Sequence, residues 1–163
     1  VIYALIYGCG DKKMGEIIGS NAASGKKLKE KLFKNLPALG SLTSDVKDKV
    51  QRTNSLRGLD GRILNIRSAH SALNFLIQSC GAILVKKATC ILNEKLWAKY
   101  KYKTDWSMVA HIHDEMQLQV KENLVEEVGK IGVQSVRDTQ QEFSLRCPLD
   151  AEYKVGRNWA ETH

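Results

Sequence analysis

Hydrophobic positions recur along this chain with two different periods, and the period changes part-way. Tyr3 and Tyr7 stand four apart and so share one face of an opening helix, which Gly8-Cys9-Gly10 ends before Asp11-Lys12-Lys13 begins another turn. Over residues 24–35, Leu28, Leu32 and Phe33 fall on the inward side and five lysines on the outward one, predicting a basic amphipathic helix. Pro37 restarts the chain into a helix ending near Val50, and Leu59-Asp60-Gly61-Arg62 predicts an Asp-Gly hairpin turn feeding a short strand over residues 63–66. Ser68 is the expected N-cap of the longest element. From there Ala69, Ala72, Leu73, Leu76, Ile77, Cys80, Ile83, Leu84, Ala88, Ile91 and Leu92 recur at helical spacing and predict one helix of about 30 residues, packed along a single stripe. Residues 101–106 break it. Met108, Ala110, Ile112, Met116, Leu118 and Val120 then alternate with polar residues, the period of a strand pair with one buried face. A helix over roughly 122–140, a final strand over 149–154 and a tail from Gly156 complete the pattern, with neither a repeat nor a linker.

Composition narrows the class. The chain has 163 residues, 43% hydrophobic and 26% charged, the balance of one water-soluble globular domain with room for a core. Only 2 prolines and 12 glycines occur, and no apolar run approaches the roughly 20 residues that cross a bilayer, so collagen-like, low-complexity and membrane-spanning classes drop out. The opening residues are apolar but lack a basic leader and a small-residue cleavage site, so no signal peptide is expected. A chain that starts without Met, inside a hydrophobic periodic stretch, is expected to be cut from a longer one. Cys9, Cys80, Cys90 and Cys147 have neither zinc-site spacing nor the density of a disulfide scaffold, which fits a reducing intracellular setting.

The charge is distributed unevenly. Residues 1–70 hold 13 Lys/Arg against 6 Asp/Glu, whereas residues 71–163 hold 12 of each, so the whole net charge of +7 sits in the first part. An anionic partner, nucleic acid first, is implied there. A solvated lysine-rich helix face explains the charge equally well.

Three groups of residues carry candidate chemistry. Asp114, within His113-Asp114-Glu115, falls in the even-numbered set whose other members from 108 to 120 are apolar, so a simple strand would bury an unpaired carboxylate. Either the chain turns here and lifts the acids to a hairpin tip, or a cation sits against them, and the two together make a hard-metal site. An isolated string of this kind is more often a polar β-turn. His70, Asn74 and Gln78, four apart, form a polar stripe on the long helix whose donors match the purine N3 and pyrimidine O2 acceptors of the minor groove. By itself that stripe is equally a solvated face. Tyr3 and Tyr7 can stack on a base or sugar, although a core pair is the commoner arrangement.

The ordered set Tyr3-x-x-x-Tyr7-Gly8, Arg57-Gly58-Leu59-Asp60-Gly61-Arg62, Arg67-Ser68-Ala69-His70-Ser71-Ala72-Leu73-Asn74-x-x-x-Gln78-Ser79, Ala110-His111-Ile112-His113-Asp114-Glu115 and Asn158-Trp159-Ala160 strongly resembles the carboxyl-terminal part of family A DNA polymerases, nearest to the replicative polymerases of short-tailed bacteriophages. The likeness covers essentially the whole chain. It implies an α+β fold: a small antiparallel palm sheet backed by the long helix over residues 51–163, plus part of the helical fingers over 1–50. It implies a DNA-directed DNA polymerase that adds deoxynucleotides to a primer 3′-hydroxyl by two-metal phosphoryl transfer with Mg²⁺, the ions about 3.5–4 Å apart. Asp114 is then the metal-bridging aspartate, Glu115 tunes the cluster and His113 holds the primer-terminal nucleotide. The resemblance puts Tyr3 against the sugar of the incoming nucleotide, Tyr7 near the templating base, His70, Asn74 and Gln78 in the minor groove, and Arg67 at the template-primer backbone.

The pattern also departs from the family. A lysine and an arginine that neutralise the triphosphate, and the other metal-binding aspartate, would all precede Val1, as would the thumb and any proofreading domain. Residues 1–163 are therefore expected to be inactive alone. The implied partners are primer-template DNA, deoxynucleoside triphosphates, an upstream polymerase segment and a processivity factor, with no membrane, in the cytoplasm of a phage-infected bacterium. The alternatives are one half of a split polymerase, a non-catalytic DNA-binding remnant, or a metal-dependent nuclease using Asp114 and Glu115, for which no second acidic cluster stands ready.

Overall fold

A computed structural model describes residues 1–162 and divides the chain into two compact units, Val1–Cys80 and the residues from Gly81 onward. In the first unit, α1 (Ile2–Ile6) and α2 (Asp11–Ile17) precede α3 (Ala22–Asn35) and α4 (Pro37–Thr53). Asn21 caps α3 by accepting from the Ser24 backbone N–H at 3.0 Å, and Pro37 opens α4 where its missing N–H costs nothing. Close approach of α2 and α3 depends on Gly25, where an added Cβ would lie 2.1 Å from the Asp11 carbonyl oxygen. Of the five lysines expected outward on α3, Lys29 is half-buried: it pairs with Asp11 at 2.9 Å and donates to the Cys9 carbonyl at 3.2 Å.

Two short strands, β1 (Ser55–Arg57) and β2 (Ile63–Asn65), pair antiparallel across residues 58–62. The turn is longer than a two-residue Asp-Gly loop. Gly61 takes φ +84°, and the Asp60 carboxylate accepts from the Arg62 side chain, which holds the loop shut. Leu56, Leu64 and Ile66 cover Val46 and Val50 of α4 together with Ala72 and Leu73, forming the core of this unit.

Ser68 does precede the first helical turn, a 3₁₀ segment at Ala69–Ser71, but its side chain makes no capping bond; instead its carbonyl accepts from the Ser71 hydroxyl. α5 (Ala72–Lys99) continues from that turn into the second unit. Ile77, expected on the inward stripe, is exposed, as is Phe75. The helix is apolar on several faces rather than one. Consequently Ala69–Lys99 is long and apolar enough to cross a membrane by length and composition, an 18-residue stretch of it having a mean hydropathy of 1.5, contrary to the expectation that no such run exists. Lys86 and Lys87 stand near its midpoint, where each cation would cost about 2.5–3.5 kcal/mol in a bilayer. Packing accounts for part of the composition: Leu73 and Leu76 join the first core and Leu92 and Leu96 the second, while only 17% of the apolar stretch is buried within the described residues.

The second unit places β3 (Trp106–Ile112) against β4 (Glu115–Val120), followed by a 3₁₀ turn at Glu122–Leu124, α6 (Val125–Glu142) and a short α7 (Trp159–Thr162). Trp106 and Val128 close over Leu92 and Leu96, with Met108, Met116, Leu118 and Val120 packed around them. Lys87, Lys95 and Lys99 of α5 pair with Glu142, Asp138 and Glu127 of α6 in reverse order, as antiparallel helices require. The final strand expected over 149–154 does not form. That segment runs without ladder partners and is tied to α6 by side chains: Arg137 donates to Asp150 at 2.9 Å and the Tyr153 hydroxyl to Glu126 at 2.7 Å.

The Lys95 ammonium, with the Gln134 amide second, holds the Asp138 carboxyl below its ordinary value of 3.8. A depressed carboxyl stabilises the fold above that ordinary value, and the gain disappears as pH falls through the lowered one. Asp138→Asn should therefore lower the unfolding midpoint at neutral pH and converge with the parent as pH falls through the lowered carboxyl value, checked by urea titrations across pH.

Candidate functional site

In the first unit the candidate nucleotide and DNA contacts cluster around the end of α1. Tyr3 is 80% exposed and Tyr7 is also exposed, so neither ring is part of the core. Gly8 follows with φ +72°, and an added Cβ there would lie 2.7 Å from the His70 carbonyl oxygen. Only glycine satisfies both the left-handed backbone and that approach. His70, in the 3₁₀ turn that begins the long helix, is exposed, and so is Arg67 just after β2.

One and two helical turns further on stand Asn74, half-buried, and Gln78, exposed. Asn74 Oδ1 is enclosed and has no hydrogen-bond partner among the described residues. Gln78 Nε2 donates to the Tyr7 hydroxyl at 2.8 Å, joining two residues that the sequence separates by 71 positions. Lys26, Lys27, Lys31 and Lys34 remain exposed on α3. The unit thus presents aromatic rings, amide donors and cations to solvent, the groups that stack on bases, read shared acceptors and neutralise phosphates.

In the second unit the chain reverses direction at His113-Asp114. Ile112 pairs with Glu115, so these two residues are the whole turn, and His113 takes φ +52°. A left-handed backbone is uncommon for a side-chain-bearing residue, although histidine is among those enriched there. Both His113 and Asp114 are exposed. The carboxylate that a continuous strand would have buried is thereby lifted to the hairpin tip.

A bulge alters the faces below that tip. Met108 pairs with Leu118 but Ala110 with Gln117, leaving Val109 unpaired and 62% exposed. Beyond the bulge the parity reverses, because one extra residue turns every later side chain over. Ala110 and Ile112, expected on the same buried face as Met108, instead share a face with Glu115 and Gln117, and His111 comes opposite Met116.

Gln117, which the alternation had assigned to solvent, is half-buried. It donates through Nε2 to Glu115 and accepts through Oε1 from the Thr162 hydroxyl at 3.3 Å. The signal that could have found it is the spacing of two between Glu115 and Gln117, which puts both on one face of a strand. Trp159, from the Asn158-Trp159-Ala160 motif, is exposed at the start of α7, while Asn158 donates to Glu161 at 2.7 Å.

Among the described residues no group of three or more His, Cys, Asp or Glu side chains is gathered for a metal ion. Asp114 and Glu115 nonetheless supply two adjacent hard oxygen donors. That set fits an ion which keeps waters and phosphate oxygens in its shell rather than one needing an all-protein cage. All four cysteines are free thiols.

Comparison with known proteins agrees across almost the whole chain. The model of DNA polymerase family A matches residues 1–161. The DNA-directed DNA polymerase of Enterobacteria phage T3 is 34% identical, covering 99% of this chain and 26% of that protein. The corresponding enzyme of Escherichia phage T7 gives the same figures, 34%, 99% and 26%. DNA polymerase I of Aquifex aeolicus is 26% identical over 98% of the chain and 29% of its own length. Among solved structures, the POL domain of Pol1 from M. smegmatis, in complex with DNA primer-template and dNTP, superposes with a TM-score of 0.76 at 18% identity, covering 93% of this chain and 27% of that one. This last likeness is one of fold. The chain spans about a quarter of the length of the phage relatives it matches.

Proposed function

The chain belongs to DNA polymerase family A, and on that premise we propose that it is the carboxyl-terminal part of a DNA-directed DNA polymerase that copies phage DNA in the cytoplasm of an infected bacterium. Residues 1–50 then form part of the fingers and residues 51–163 the palm. The observation that carries the reading is Asp114, exposed in a two-residue turn between strands whose Trp106, Met108, Met116, Leu118 and Val120 pack on a core.

Family A polymerases use divalent metal ions. Asp114, with Glu115 beside it, would hold Mg²⁺, and the second aspartate ligand comes from outside residues 1–163. When bound, the ions supply activation of the primer 3′-hydroxyl and stabilisation of the leaving pyrophosphate. The residues of this chain contact the reactants. His113 orients the primer-terminal nucleotide, Tyr3 sets the sugar of the incoming nucleotide, and Tyr7 bounds the templating base. His70, Asn74 and Gln78 grip the minor groove through acceptors common to every base pair, so the contact is blind to sequence but sensitive to shape. Arg67 and the exposed lysines of α3 neutralise backbone phosphates.

Primer extension tests the reading. The full-length protein, given Mg²⁺, primer-template and deoxynucleoside triphosphates, should extend the primer as the template directs, while residues 1–163 alone should not. Extension by the short chain would overturn the proposal that a required ligand lies elsewhere. DNA binding without extension, with a salt slope that tracks the lysines of residues 12–34, would favour the non-catalytic remnant. Tyr3 gives a sharper check: by resemblance, a tyrosine here accompanies tolerance of 3′-deoxy terminators. Tyr3→Phe should suppress terminator incorporation, and an unchanged preference would remove Tyr3 from the sugar.

A further inference from the structure

The hydrogen bond between Tyr7 and Gln78 joins two residues to which the polymerase reading gives separate tasks. Gln78 is exposed, and its amide nitrogen donates to the Tyr7 hydroxyl at 2.8 Å. A glutamine amide has two ends of nearly the same shape, one donating and one accepting. The minor groove offers acceptors at purine N3 and pyrimidine O2, so only the nitrogen end grips every base pair. That nitrogen carries two hydrogens. The Tyr7 hydroxyl takes one of them, which restrains the side-chain rotamer and leaves the other for DNA.

The backbone supports this arrangement. Gly8, next to Tyr7, lies against the His70 carbonyl where any Cβ would come within 2.7 Å. The end of α1 is therefore seated on the turn that begins the stripe of His70, Asn74 and Gln78.

We propose that Tyr7 is a positioning residue acting through Gln78: its hydroxyl orders the Gln78 amide for the minor groove at the primer terminus, a task distinct from any stacking of its ring. The proposal rests on the polymerase reading above.

The test uses the full-length protein and single-nucleotide extension from a primer ending in a natural purine or in its 3-deaza analogue, which lacks the N3 acceptor. Tyr7→Phe keeps the ring and deletes the hydroxyl. On the natural terminus it should lower kcat/KM by about 2- to 10-fold, the range for losing the prior ordering of one flexible side chain. On the 3-deaza terminus, and in a Gln78→Ala background, the same substitution should have no further effect. An equal loss on both termini, or a loss that persists in Gln78→Ala, would show that Tyr7 acts independently of Gln78 and overturn the proposal. Unchanged or faster extension by Tyr7→Phe on the natural terminus would overturn it as well. Failure of the parent protein to extend any primer would instead refute the polymerase reading itself, and this inference with it.

Discussion

Asp114→Asn in the full-length protein should reduce primer extension by at least about 10³-fold, equivalent to about 4 kcal/mol of transition-state stabilisation. The amide nearly matches the carboxylate in shape, so the two-residue turn and the register from Ile112–Glu115 downward remain. What is lost is one negative charge and one anionic oxygen ligand at the place where divalent cations would gather. Because the side chain is exposed, the unfolding free energy should change by less than about 0.5 kcal/mol. A rate measured by rapid quench, beside a denaturation curve and a primer-template binding isotherm, separates these effects. Binding kept and extension lost is the expected combination. Extension retained within tenfold would take Asp114 out of the chemistry and leave a DNA-binding module.

Trp106→Ala should be the most damaging single change to the fold, costing about 3–5 kcal/mol. Trp106 is 2% exposed and packs with Leu92, Leu96 and Val128. Its ring meets Tyr102 edge-on at 5.1 Å, and Tyr102 in turn stacks on Trp97 at 5.3 Å. The residue also pairs with Val120 at the open end of the hairpin. A two-stranded ribbon is marginal in water unless one face is covered, so the anchor at the open end also holds the turn that carries Asp114.

The indole Nε1 is buried without a hydrogen-bond partner among the described residues. An unmade bond of this kind costs about 1–3 kcal/mol. Trp106→Phe, which deletes the N–H and keeps an aromatic ring, should therefore cost clearly less than Trp106→Ala. Urea unfolding followed by the fluorescence of Trp97 and Trp159 measures both variants. A Phe variant as unstable as the Ala variant would mean that the site needs the whole indole and that the unpaired N–H costs little.

The hairpin shows how far local pattern reaches. A carboxylate in an otherwise apolar alternation is costly to bury, so residues 113–115 had to turn outward or be neutralised, and the chain does turn there. The bulge at Val109 left no comparable mark. Its trace is slight, an apolar Val109 that interrupts the alternation between Met108 and Ala110, and only pairing against β4 shows that Ala110 and Ile112 have changed faces.

Lys29 behaves similarly. Its position on a basic helix face predicted exposure, but a carboxylate and a carbonyl from the preceding turn and helix draw it inward. The extended segment around Asp150 and Tyr153 had the composition of a strand and found side-chain anchors on α6 in place of a ladder.

What the sequence determined by itself was the order and kind of the main elements: the basic helix α3, the proline-started α4, the long α5, the ribbon with an acidic turn, and α6. These follow from periodicity, caps and the cost of burying charge, all of which act between near neighbours in the chain. The motifs carrying the family resemblance are equally local strings. Tertiary structure alone decided the strand faces beyond the bulge, the partner of Gln117 and the meeting of Tyr7 with Gln78. Those are contacts between distant positions, and their energies depend on which surfaces the folded backbone brings within a few ångströms of each other.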